Sequence, residues 1–236
     1  MPDETNSDHG SDSDESLARV TPISANARRL LGVLVEKAKT TPDNYPLSLA
    51  GMITGANQKS NRDPQMQLDE DDALLAMDEL KAVGAAREIQ GGSRVTKFRH
   101  AAYEWLNVDS PGAAIMTELM LRGPQTVGEI RTRASRMHAF IDLAAVQKEL
   151  DALAEKDLVE PLTPVGRGQV FAHKLYPATE RQFLVAKVEK RLGSETVKPQ
   201  AQTTEHASKI ETIQAKLDDV TERLAKLEAQ FNELVN

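Results

Sequence analysis

The chain is expected to be mainly α-helical with small β-hairpin wings: two tandem winged-helix domains followed by a C-terminal coiled-coil helix. Two observations carry this. First, one pattern occurs twice at a fixed offset of 73 residues, so that Asp151, Leu153, Leu162, Arg167, Phe171 and His173 fall on Asp78, Leu80, Ile89, Arg94, Phe98 and His100. Second, an apolar residue recurs every three or four positions from Ile210 to Leu234, the spacing of a seam that faces a partner helix.

Each copy of the repeat reads as an apolar-periodic helix, a short strand, a Gly-containing tip bearing Arg, and a second strand. Two further helical patterns precede it. In the first copy they are Leu30, Leu31, Val33 and Leu34, then Leu47, Met52 and Ile53, with Leu74, Met77 and Leu80 on the third helix. The second copy offers Ile115, Met116, Leu119 and Met120, then Val127, Ile130, Ala134 and Met137, then Leu143, Val146, Leu150 and Leu153. These spacings place each set on one helical face. Thr126 and Glu129 form a capping box, and Asp142 is placed to cap the third helix of the second copy. The predicted boundaries are an acidic tail over 1–19, winged-helix domains over 20–105 and 110–180, a helix end and linker over 181–208, and the coiled coil over 209–236.

Several runs are distinctive. Glu36-Lys37, Thr40 to Ser48, Asn57 to Pro64, Arg94 to Phe98, Leu121 to Thr126 and Gly128 to Met137 resemble the YceH-like family of bacterial proteins. The resemblance covers roughly Thr21 to Leu175 plus a helical tail. It implies a tandem winged-helix architecture in a family whose physiological role is not established. The acidic stretch before Leu17 lies outside it.

Composition narrows the function classes. The chain has 236 residues, 40% of them hydrophobic and only 4% aromatic, as expected of small helical cores built from Leu, Ala, Val and Met. With no cysteine, disulfides, thiolate chemistry and cysteine-based zinc sites are excluded. No apolar run reaches the length of a membrane span, and the N-terminus is acidic where a signal peptide would be basic. A cytoplasmic location and no membrane association are expected. The five histidines, His9, His100, His138, His173 and His206, show no i,i+4 pair for a metal. His100 and His173 hold equivalent places in the repeat, which points to a shared structural role. There is no phosphate-binding glycine loop and no nucleophile elbow. The chain reads as a non-enzyme, with no catalytic residue, metal or cofactor.

The net charge of −7 is unevenly spread. Residues 1–16 hold six acids and no Lys or Arg, and residues 193–236 hold eight acids and five basic residues. The body between them is slightly basic. The first tail reads as a solubilising segment or, alternatively, as a competitor of DNA for the basic surface. The last segment presents Ile210, Ile213, Leu217, Val220, Leu224, Leu227, Phe231 and Leu234 as a dimerisation seam, supported by Asp219–Arg223 and Glu222–Lys226. Its alternative is a helix docked on its own body.

In winged helices the third helix usually enters the major groove. Here the first copy opens it with Asp69-Glu70-Asp71-Asp72, which would repel phosphate and is better suited to capping the helix and meeting its positive end. The second offers Asp142, Leu143, Ala144 and Ala145, without Arg or Asn for base readout. The candidate DNA contacts lie elsewhere: Lys59 and Arg62 before the first third helix, Arg94, Lys97 and Arg99 on the first hairpin, Arg131, Arg133 and Arg136 on the second helix of the second copy, and Arg167 in its wing. Such residues suit phosphate contacts, which position without specifying sequence; a solvated face with local salt bridges suits them equally. Two function classes follow. One is a dimeric, DNA-associated regulator or nucleoid protein gripping double-stranded DNA by its phosphates. The other is a protein-protein interaction module of a cytoplasmic or chromosome-organising complex, recognising an unidentified protein without direct DNA binding.

Overall fold

In the computed structural model, helix α1 (Ala25–Thr40) and helix α5 (Ser110–Arg122) are buried on every side over ten residues each, Ala27–Glu36 and Gly112–Leu121. A helix apolar all round belongs in a core, and these two pack against each other at its centre. The structure describes residues 21–89, 95–166 and 168–195, with the side chains of 189 and 191–195 outside that description. Residues up to Arg181 form one compact unit, and residues from Gln182 a second.

The elements follow one order twice. The first series is α1, β1 (Leu47–Ser48), α2 (Leu49–Ala56), α3 (Glu70–Ala82), β2 (Ala86–Ile89) and β3 (Lys97–His100). After the short α4 (Ala102–Leu106) come α5, β4 (Gln125–Thr126), α6 (Val127–Ala134), α7 (Leu143–Glu155), β5 (Val159–Pro161) and β6 (Val170–His173), and α8 (Ala178–Glu195) ends the described chain. Each series makes a three-stranded antiparallel sheet, ordered β1-β3-β2 and β4-β6-β5. The registers repeat too: Ala86 faces His100 and Val159 faces His173, a shift of 73 residues on both strands. Phe98 and Phe171 point inward, 5% and 4% exposed. The fold is thus mainly helical with small antiparallel sheets. The first, two-residue strand of each sheet was not anticipated, being too short to carry a period.

The start signals act as expected. Thr126 and Glu129 form a reciprocal capping box, Asp142 accepts from the Ala145 amide, and Asp69 with Asp72 caps α3, so this part of the acidic run serves the helix end. Two apolar positions depart from expectation. Leu74 is 43% and Leu143 51% exposed, because the buried stripes run through Ala73, Ala76, Met77 and Leu80 on α3 and through Val146, Leu150 and Leu153 on α7. Helix α8 runs to Glu195, well into the 181–208 span expected to hold a helix end and linker. The acidic tail and the seam residues Ile210, Ile213, Leu217, Val220, Leu224, Leu227, Phe231 and Leu234 lie outside the described residues.

One apolar cluster joins both series, from Ile23 and Leu30 through Met77 and Phe98 to Leu119, Leu150 and Phe171. Close approach is built in: a Cβ on Gly32 would stand 2.9 Å from Leu121 Cδ2, and one on Gly55 only 2.6 Å from Val33 Cγ1.

Candidate functional site

Charge is buried where the two series meet. Glu36, near the end of α1, is 2% exposed, and Glu118, on α5, is fully buried. Leaving such carboxylates unpaired would be costly, and arginines from three places answer them. Arg62 gives Nη2 to Glu36 Oε2 at 2.5 Å and Nη1 to Glu36 Oε1 at 3.3 Å, while its Nε donates to the Gly55 carbonyl at 3.0 Å. Arg136, in the turn after α6, sets Nη2 2.7 Å from Glu36 Oε1 and 2.9 Å from Glu118 Oε1. Arg122, in the last turn of α5, gives Nη2 to Asn61 Oδ1 at 2.5 Å, with Nε 3.4 Å from Glu118 Oε2. Gln125 donates Nε2 to the Glu118 carbonyl and accepts from Arg133 Nη1. The loop after α2 is thereby bound to the second series, an attachment that the Asp63 amide extends to the Leu121 carbonyl at 3.0 Å.

Nearby, Arg29 donates to the Ala56 and Pro64 carbonyls, and burial, then neighbouring Arg62, lower its pKa to about 10. Arg28 lies over the Tyr176 ring, 4.5 Å from its centroid, and pairs with Glu180.

This arrangement changes the reading of the basic candidates. Arg62 is 6% exposed with its guanidinium committed to Glu36, so it does not face a phosphate; the expectation for it is corrected. Arg133 and Arg136 keep a third of their side-chain surface but hold Glu129, Glu36 and Glu118. Arg131 is exposed and gives one bond to the Ile141 carbonyl. Lys59, Lys97 and Arg99 are exposed and make no ion pair among the described residues. Lys97 and Arg99, two apart on β3, share the outer face of their sheet with Arg87, which Glu104 neutralises at 2.9 Å. Arg94 and Arg167 lie outside the described residues.

The family model for "Protein of unknown function, DUF480" matches residues 23–166. The chain belongs to the DUF480 family. That span contains every residue of the buried charge network, and an uncharacterised bacterial family is what the sequence runs around Glu36, Asn61, Arg122 and Arg136 implied. Among relatives of this DUF480 chain, a UPF0502 protein of Rhodopirellula baltica is 72% identical over 182 residues, covering 77% of each chain. A UPF0502 protein of Geobacter sulfurreducens is 46% identical over 151 residues, 62% of this chain and 69% of its own, and one of Geotalea daltonii 52% identical over 125 residues, 53% and 57%.

In the DUF480 chain, His100 and His173 each accept a backbone N–H from two residues on, at 3.3 and 3.2 Å, through Nδ1. Burial, then Lys39 and Arg99, push His100 down to about 4; burial and then Arg28 push His173 well below its ordinary value. His173 is buried and His100 half-buried, and both serve as acceptors at the same place in the repeat.

A groove of about 580 Å³ lies beside the second sheet, lined by Thr126, Val127 and Gly128 at the start of α6, Leu143, Ala144 and Gln147 on α7, and Gly166, Gly168 and Gln169 of the hairpin. Close in sequence to lining residues, Ile141 is 88% and Val165 93% exposed. Sequence reasoning missed this groove, although the run Ile141-Asp142-Leu143, apolar on both sides of a helix cap, signals it. It also gave Glu118 no role; a glutamate inside the largely apolar Ile115–Leu121 is the available signal. No helix among the described residues is long and apolar enough to cross a membrane.

Proposed function

We propose that this chain is a non-enzymatic, tandem winged-helix protein of the cytoplasm whose second repeat docks an apolar segment of a partner protein. The element order of three helices and a hairpin, repeated with the same register, supports the winged-helix assignment. The observation that carries the docking reading is the groove at Leu143. It lies on the start of the third helix and beside the hairpin, the surface a DNA-binding winged helix turns toward the duplex. Val127, Leu143 and Ala144 give it apolar surface, and Ile141 and Val165, close in sequence to lining segments, are exposed. Exposed apolar surface rimmed by polar residues marks protein contact sites, and the apolar Val127, Leu143 and Ala144 in the lining suit an occupant that brings apolar side chains. A photo-crosslinking residue at Val165 should give a covalent adduct with one protein in cells, lost when Leu143→Glu is added. Adducts with nucleic acid, or an adduct indifferent to Leu143→Glu, would overturn the reading.

A second reading, phosphate-driven contact with DNA, is favoured by the unpaired Lys97 and Arg99 on the outer face of the first sheet. In both readings the chain pairs with a second copy through residues 209–236; sedimentation of a protein ending at Ser194 tests this, and a truncated chain that stays dimeric removes it.

A further inference from the structure

Three guanidiniums converge where α5 ends. Arg122 and Arg136 approach the two oxygens of one carboxylate, Glu118, and Arg133 is tied to the same place through Gln125, which holds the Glu118 carbonyl. The carboxylates lie beneath: the Glu36 and Glu118 side chains are 2% and 0% exposed, whereas those of Arg122, Arg133 and Arg136 are 14%, 34% and 32% exposed. Counting Arg62 behind them, four guanidiniums stand against Glu36, Glu118 and Glu129, leaving one positive charge over.

Donors are left over as well. Both ion pairs of Arg136 use Nη2, and among the described residues Nε and Nη1 have no partner. Arg133 uses Nη1 for Gln125 and Nη2 for Glu129, keeping Nε. Arg122 Nε is buried facing Glu118 Oε2 at 3.4 Å, an ion pair without a hydrogen bond, so Arg122 adds charge here and not a free donor. Burial lowers the pKa of Arg122, and Arg136, Arg133 and Arg62 add to that against the opposing pull of Glu118, so the cations crowd one another.

We infer that Arg122, Arg133 and Arg136 hold one phosphate-type oxyanion at the seam between the two repeats. Planar forks matching tetrahedral oxygens are what arginine offers such a group, and an anion there would relieve the surplus charge. The inference stands apart from the docking groove. A phosphate group could come from free phosphate or from a nucleic-acid backbone.

The test uses the full chain titrated with inorganic phosphate against chloride at constant ionic strength. Phosphate should raise the thermal midpoint saturably and move the Nε–H resonances of Arg133 and Arg136. Arg133→Gln should weaken the apparent affinity about tenfold or more, the loss expected for one charged hydrogen bond, while Lys148→Gln, at an exposed position of α7, should leave it unchanged. A random duplex of about 20 base pairs that competes with phosphate assigns the site to a nucleic-acid backbone; a duplex without effect assigns it to a small phosphate. Stabilisation by chloride equal to that by phosphate, unmoved arginine resonances, or undiminished binding in Arg133→Gln overturns the inference.

Discussion

Glu36 Oε1 stands 2.7 Å from Nη2 of Arg136, joining the first helix of one repeat to the turn after the second helix of the other. Because Glu36 is also held by Arg62, removing its charge leaves the fully buried Arg62 guanidinium without a carboxylate and Arg136 with Glu118 alone. Glu36→Gln should therefore destabilise the fold by about 3–5 kcal/mol, the range for breaking a buried pair from one side. Urea denaturation measures it, and a loss under about 1 kcal/mol would mean that the network is dispensable. Replacing the pair with apolar residues of similar volume should cost much less.

Packing at the glycines gives a second prediction. Gly55→Ala drives a methyl to 2.6 Å from Val33 Cγ1, closer than real Cβ contacts, and Gly32→Ala drives one to 2.9 Å from Leu121. Both should cost about 1–3 kcal/mol by overpacking, even though alanine is the better helix former by about 1 kcal/mol. Equal or higher thermal midpoints in either variant would contradict the close approach of α1 to its neighbours.

Acid should unfold the protein through its histidines. The folded pKa of His100 is about 4 and that of His173 lies well below 6.5, so the unfolded state binds more protons once pH falls below about 6.5. Stability from this source is full above that pH and is lost as pH falls toward 4. His100→Asn, which keeps an acceptor for the Ala102 amide, should flatten the decline between pH 6.5 and 4 in denaturant midpoints. A slope unchanged in His100→Asn would exclude His100 as a source.

The repeat was legible because its hairpin has no insertion between Asp78 and His100: the same offset that aligned the residues fixes the strand registers of both sheets. Local chemistry at helix starts was equally readable, since a cap joins residues three apart. What could not be read joins distant positions. Nothing in the run around Arg62 distinguishes an exposed cation from one buried on Glu36, 26 residues away, and so a buried ion pair was counted as a phosphate contact. Leu74 and Leu143 were misplaced for a different reason. Apolar periodicity defines a stripe only to within a neighbouring position, and alanines carried the buried edge at Ala73 and Ala76.

The last prediction separates the two functional readings without presuming either. Lys97→Glu and Arg99→Glu lie on an exposed sheet face, so each should alter stability by no more than about 0.5 kcal/mol. If the chain binds duplex DNA through this face, affinity falls with salt by counterion release, and neutralising either residue, as Lys97→Gln or Arg99→Gln, should reduce the log–log slope by about 0.9. Leu143→Glu removes no cation from the first sheet and should leave that slope alone. The converse pattern is expected for the docking reading: Leu143→Glu abolishes partner capture, and the sheet variants retain it. Leu143 begins α7 half exposed and outside the buried stripe, so this variant should stay folded, which a thermal midpoint within a few degrees of the parent, by about 1 kcal/mol or less, would verify before either binding result is read.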